Sequence, residues 1–231
     1  MGLERGEGFV LRTREFAEAD IIVTLFLRDR GKRVAIAKGA RRLNSRLGGV
    51  FDLLNRVEVV YYPRDRLDLV SQGTLIDGYE PVKRDLGAVT SALTVARLLD
   101  RMLPPHQAEE DSYLLFERFL VLLARGEDTV LKLAVELKLL SILGHRPHLR
   151  SCVRCGNTTG PFRFLPRRGG ILCRNCAADE GMELGAGLAR ALNWLISHPV
   201  EKSGVIKLSE EEAELADSIV NAYIETLVRG G

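Results

Sequence analysis

The sequence predicts an α+β multidomain chain on three observations. Five short β-type segments fill the first eighty residues, three- and four-residue apolar steps take over beyond Pro81, and two Cys-x-x-Cys pairs interrupt the helical part. The expected domains are a β-barrel over 1–80 and an α-helical domain over 81–231, with a ribbon inserted at about 150–180.

The β segments are Phe9 to Arg14, Ile21 to Leu27, Arg33 to Lys38, Val57 to Tyr62 and Leu67 to Ile76. Each carries β-branched and aromatic residues, Gly31-Lys32 suits a hairpin turn, and Gly73 suits a bulge or break. Five strands of this size predict a five-stranded OB-fold barrel, a class that holds single-stranded nucleic acid; an SH3-like barrel gives a similar pattern.

Beyond Pro81, Leu86, Val89, Leu93, Ala96, Leu99 and Leu103 repeat at helical spacing up to Pro104-Pro105. Asp111 is placed to cap a second helix carrying Leu115, Phe119, Leu122 and Leu123, which Gly126 ends. Asp128 is placed to cap a third, through Leu131 and Leu137 to Leu140, closed by Gly144. After the cysteines, Leu188, Leu192, Leu195 and Ile196 form one apolar face around Trp194. Ser209 with Glu212 then forms a capping box for a last helix through Leu215, Ile219, Tyr223 and Leu227.

All four cysteines lie in this insertion: Cys152-Val-Arg-Cys155, seventeen residues, then Cys173-Arg-Asn-Cys176. The spacing is that of a tetrahedral four-thiolate site, so one structural Zn2+ in a zinc ribbon is expected. Four thiolates leave no open position for water or substrate. A disulfide framework is disfavoured in a chain of 231 residues that can build a core and shows no secretory signal at its polar amino terminus. No apolar run approaches the ~18 residues that span a bilayer, so the cytoplasm is expected and no membrane partner.

Formal net charge is only +2, so attraction to polyanions has to come from distribution. Residues 28–46 hold eight basic side chains, Arg28, Arg30, Lys32, Arg33, Lys38, Arg41, Arg42 and Arg46, against the single acid Asp29. On a barrel of this class the run is a candidate phosphate-contacting surface; the bland alternative is a solvated face. Tyr61 and Tyr62 are candidate base-stacking platforms, one outward and one inward, since neighbours on a strand face opposite sides. Arg167-Arg168-Gly169-Gly170 suits the tip of the ribbon hairpin, as either a secondary DNA contact or a plain polar turn. No phosphate loop, dinucleotide fingerprint or nucleophile elbow occurs. His106, His145, His148 and His198 are scattered, and Glu210, Glu211, Glu212 and Glu214 suit a helix amino terminus. Neither catalysis nor a small-molecule substrate is expected.

The run Val34-Ala-Ile-Ala-Lys38-Gly39-Ala-Arg41-Arg42, then Ser45-Arg46, the strand Val57 to Tyr62 and the four cysteines within a helical domain follow one another in an order that resembles the bacterial RecO recombination and repair mediators. The likeness spans essentially the whole chain. It implies a non-enzymatic DNA-binding protein of the RecF pathway, with an OB-fold amino-terminal domain, working in the cytoplasm at the nucleoid. Such a protein binds single- and double-stranded DNA and anneals complementary strands. It joins RecR and helps load RecA onto strands coated by the single-stranded-DNA-binding protein. The alternative is a zinc-containing protein-interaction scaffold without direct DNA affinity.

Overall fold

The computed structural model describes residues 2–126 and 129–230. Two compact units divide the chain, residues 1–125 and 126–231.

The first unit is built on a closed barrel of β1 (Glu4–Phe16), β2 (Asp20–Leu27), β3 (Gly31–Ala37), β4 (Arg56–Tyr62) and β5 (Asp68–Asp77), in the order β1-β2-β3-β5-β4. This is the OB-fold topology. β1 is long enough to serve both neighbours, pairing Gly8 to Phe16 with β2 and Glu4 to Phe9 with β4. It starts five residues before the apolar pattern does. Polar Glu4 to Glu7 are held as strand by cross-barrel bonds, Tyr61 Oη donating to Glu4 at 3.0 Å and Arg56 Nε to Glu7 at 2.7 Å. Gly73 is not the break expected: it pairs in register with Val59, and the two irregularities of this ladder fall on either side of it, between Gln72 and Val70 and between Asp77 and Leu75. A Cβ at Gly73 would lie 2.7 Å from the Phe51 ring, so the missing side chain makes room for Phe51 in the barrel core.

That core comprises Val10, Val23, Leu25, Leu27, Ala35, Ala37, Phe51, Val57, Val59, Tyr61 and Val70. Outside the barrel, Phe9 and Phe26 are fully buried because α3 (Glu110–Leu123) covers them. The Tyr113 ring lies 4.9 Å from that of Phe9 and 5.6 Å from that of Phe26, and Phe116 stands edge-on to Phe9 at 5.0 Å. The short helix α1 (Glu80–Arg84) leads into α2 (Leu86–Met102). The Asp85 carboxylate caps α2 by accepting from the Ala88 N–H at 2.7 Å. Asp111 does not cap α3: it sits inside the first turn, and Glu109 occupies the cap without a side-chain bond. The linker between α2 and α3 runs beside the start of β3, where the His106 N–H donates to the Lys32 carbonyl at 3.0 Å. Gly31 there has φ +67°, and any Cβ would fall 1.8 Å from the Gln107 carbonyl oxygen.

In the second unit α4 (Thr129–Ile142) is surrounded by α6 (Ala186–Ser197), a 3₁₀ turn at Val200–Val205 and α7 (Glu210–Gly230). The cap expected at Asp128 lies outside the described residues. The Ser209–Glu212 capping box forms, with reciprocal bonds of 3.0 and 3.2 Å. α7 buries Ala216, Ile219, Val220, Tyr223 and Ile224, a face turned slightly from the one expected, leaving Leu215 and Leu227 half-buried.

Burial all round α4 takes in two charged residues. Glu136 is fully buried, and neither carboxylate oxygen has a hydrogen-bond partner; Lys132 Nζ stands 3.9 Å away and also pairs with Asp217. Burial pushes the Glu136 carboxyl up to about 7, against the pull of Lys132. The folded state then keeps a proton that the unfolded chain releases, so stability falls as pH rises from about 4.5 through about 7. Glu136→Gln should flatten that slope and stabilise the protein at pH values above 7 by about 1–3 kcal/mol. Denaturant unfolding followed at Trp194, the single tryptophan, tests it; an unchanged pH slope counts against it.

Candidate metal centre and nucleic-acid interface

The cysteine site is assembled by a small sheet and two turns. β6 (Phe162–Leu165) pairs with β7 (Gly170–Cys173) on one side and β8 (Met182–Leu184) on the other. The segment from His148 to Val153 lies alongside β7. The His148 N–H donates to the Gly169 carbonyl at 2.8 Å, Ile171 N–H to the His148 carbonyl at 3.0 Å, and Val153 N–H to the Ile171 carbonyl at 2.9 Å. Those bonds bring the first Cys-x-x-Cys turn beside the end of β7. Its own closure runs from the Gly156 N–H to the Cys152 carbonyl at 2.9 Å, with Gly156 at φ +75°. The second pair sits where β7 passes into the single turn of α5 (Arg174–Ala177).

All four sulfurs lie within 4.8 Å of one another, and Cys155 Sγ and Cys173 Sγ are 3.7 Å apart. A tetrahedral zinc with bonds near 2.3 Å places its sulfurs roughly 3.8 Å apart, so the donor set fits that ion. Such an ion supplies a four-way cross-link and no reactive site. Burial opposes ionisation of Cys152, but backbone N–H groups of Cys173, Cys155 and Arg154 outweigh it and bring the thiol down to about 6. His148 is not drawn in: its Nε2 stands 3.0 Å from Ser151 Oγ. Arg167 and Arg168 form the exposed 3₁₀ turn between β6 and β7. Arg163, by contrast, is engaged within the ribbon by Asp179 and Glu183, each at 3.4 Å. Cys152→Ser or removal of the metal by a chelator should lower the melting temperature of the second unit by several degrees and release one metal ion per chain, read by thermal unfolding with elemental analysis. Equal stability with and without bound metal contradicts a structural role.

The basic run of residues 28–46 splits into two groups. Arg28 pairs with Glu110 at 2.8 Å and Arg30 with Glu4 at 3.3 Å, both at the surface. Lys32 donates to the Asp100 carbonyl, and burial lowers its affinity for a proton. Arg33 is the most committed. Its side chain is 12% exposed and grips Asp68 through Nε at 2.8 Å and Nη2 at 2.9 Å, with its guanidinium 5.5 Å from the centre of the Tyr61 ring. Burial works against that guanidinium, yet Asp68 more than offsets it and holds it above the usual arginine value. These four sit at the hairpin and on β3, where Arg30 and Arg33 bond within the barrel and Arg28 and Lys32 bond to the helices beside it.

Lys38, Arg41, Arg42 and Arg46 lie on the turn-rich loop after β3 and are all exposed. Successive turn bonds shape this loop, from Arg42 N–H to the Gly39 carbonyl and from Ser45 N–H to the Arg42 carbonyl, and Asp20 accepts from the Gly39 N–H at 2.8 Å. Ala40, Leu47, Val50 and Phe51 turn inward to plug the barrel, which leaves the cations outward. Arg41 shares Glu15 at 2.9 Å; among the described residues no carboxylate pairs with Lys38, Arg42 or Arg46.

The tyrosines divide by strand alternation. Tyr61 is 1% exposed, its ring in the barrel core and its hydroxyl on Glu4, so it offers no face to a base and drops out as a stacking platform. Tyr62 points outward, 37% exposed. Arg14, on β1 and facing the same cleft as Arg41, was not singled out by charge density, because strand alternation dilutes it among acidic neighbours.

Comparison with known proteins is consistent across the chain. A family model described as Recombination protein O N terminal matches residues 1–79, and one described as Recombination protein O C terminal matches residues 83–231. The DNA repair protein RecO of Symbiobacterium thermophilum is 36% identical, over 97% of this chain and 92% of its own length. Those of a Roseiflexus species and of Exiguobacterium sibiricum are 32% and 31% identical, over 97% and 96% of this chain and 81% and 91% of their own lengths. By both measures this chain belongs to the RecO family of DNA repair proteins.

Proposed function

We propose that the protein is a non-enzymatic mediator of the RecF pathway, which binds single- and double-stranded DNA through its barrel, anneals complementary strands and, with RecR, helps load RecA onto strands coated by single-stranded-DNA-binding protein. The observation that carries the DNA-binding step is the loop after β3, where Lys38, Arg42 and Arg46 stand exposed with no carboxylate partner among the described residues and Arg41 is paired at the surface with Glu15. A surface pair of that kind is worth at most about 1 kcal/mol and yields readily to a phosphate. Arg28 and Arg30 at the hairpin are supporting contacts of the same sort, and Arg167 and Arg168 a secondary one. Lys32 and Arg33 serve the fold. Tyr62 is the stacking platform that suits a single strand. The protein works in the cytoplasm, at the nucleoid.

Annealing needs charge management more than bond chemistry. Two strands repel through their phosphates, and cations that neutralise them while leaving base edges free lower the cost of approach. The domains that carry this reading are the barrel over 1–80 and the helical part over 81–231 with its ribbon at about 150–180, the metal being a single zinc that holds the ribbon together.

Arg41→Glu/Arg42→Glu/Arg46→Glu should weaken DNA binding by at least about a hundredfold at low salt and flatten the dependence of log K on log salt by about 2 for single strands, three contacts at about 0.7 each. Fluorescent complementary oligonucleotides, titrated and then annealed across salt concentrations, read both effects. A folded triple variant with wild-type affinity contradicts the site. A wild type without measurable DNA affinity at low salt favours a protein scaffold instead.

A further inference from the structure

Two clefts lie end to end along β1 in the first unit, and both include Thr13 in their walls. One, of about 290 Å³, sits between β1 and the loop after β3 and is lined by Arg14 and Arg41 together with the acids Glu15, which pairs with Arg41, and Asp52. The other, of about 400 Å³, sits between β1 and α2 and contains Arg12, Arg97 and Arg101 over an apolar floor of Leu11, Leu53 and Leu93. Arg97 and Arg101 are four residues apart on α2, so they project from one face of that helix toward the cleft. Arg12 on β1 forms the opposite wall.

Charge and polarity in the second cleft are those of a strand-binding groove. Its walls carry Arg12 and Arg97, both exposed, and Arg101, with Asp100 the one acid among its lining residues. Asp100 comes no nearer to Arg12 than 3.8 Å, and the Arg12 side chain is itself 62% exposed, so the pair is worth at most about 1 kcal/mol. Arg14 and Arg97 are exposed, and among the described residues no carboxylate pairs with either. Cationic rims over an apolar floor match a single strand, whose phosphates take the arginines and whose bases take the leucines.

We infer that the nucleic-acid path does not end at the loop after β3 but continues past Arg14 into the cleft between β1 and α2, where Arg12 and Arg97 hold a further stretch of single-stranded nucleic acid. This rests on the DNA-binding role proposed for the loop. It gives α2 a part in binding that its helical periodicity alone did not suggest. It also lets one compact unit hold a strand longer than a single barrel face covers.

The experiment uses the full-length protein with Arg12→Glu/Arg97→Glu and labelled oligothymidylates of about 10 and about 40 nucleotides, the shorter within the site size of one such barrel. Because Arg97 pairs with no carboxylate among the described residues and Arg12 only with Asp100 at 3.8 Å, the variant should fold as the wild type does by circular dichroism. The expected result is a change of less than about twofold for the short strand. For the long strand a loss of about tenfold or more is expected, with a salt slope reduced by about 1.4, two contacts at about 0.7 each. Arg12→Gln/Arg97→Gln should fall between the variant and wild type. Wild-type affinity and slope for the long strand overturn the inference, as does an equal loss on both lengths, which places the two arginines within the loop site. Failure of the underlying reading looks different: the wild type itself then binds neither strand.

Discussion

Closure of the barrel depends on the pairing of Arg33 with Asp68. β3 and β5 run parallel and meet at only two residue pairs, so backbone bonds alone hold the seam weakly. Asp68, which is 2% exposed, accepts from both ends of the Arg33 guanidinium and from the Arg64 N–H at 2.8 Å, tying β3, β5 and the loop before β5 to one carboxylate. A buried pair of this kind is costly to break from one side, at about 3–5 kcal/mol, because the surviving charge is left without a partner. The Arg33 guanidinium near Tyr61, with Tyr61 on Glu4, carries the same network to β1 and β4.

This constraint divides a basic run that looks uniform in sequence. Cations on β3 lie where neighbouring segments press in: the linker after α2 bonds to the Lys32 carbonyl, and Lys32 reaches the end of α2. Their charge is spent inside the unit. Cations on the following loop stand on a segment whose apolar residues plug the barrel, so their charge faces water. Charge density identifies the neighbourhood of the interface, and only the packing tells which members are available to a ligand.

The legible parts were those with local signals. Four cysteines at fixed spacing, strand alternation from Val57 to Tyr62, the Ser209–Glu212 box and the stop at Pro104-Pro105 each follow from residues close in sequence. What stayed hidden depended on distant partners. Glu4 to Glu7 become strand through Arg56 and Tyr61, some fifty residues on. Gly73 serves Phe51 rather than a bulge, and buried Glu136 breaks the expectation that a charged residue on a helix faces solvent. Arg97 and Arg12 belong to different elements and meet only once α2 is laid against β1.

The division of labour within the basic run is tested most directly by measuring unfolding free energy and DNA affinity side by side for Arg33→Gln and Arg42→Gln. The account predicts that Arg33→Gln loses about 3 kcal/mol of stability while its folded fraction binds DNA as the wild type does. Arg42→Gln should stay within about 0.5 kcal/mol in stability and lose affinity. The reverse pattern, or equal effects of the two substitutions on DNA binding, contradicts it.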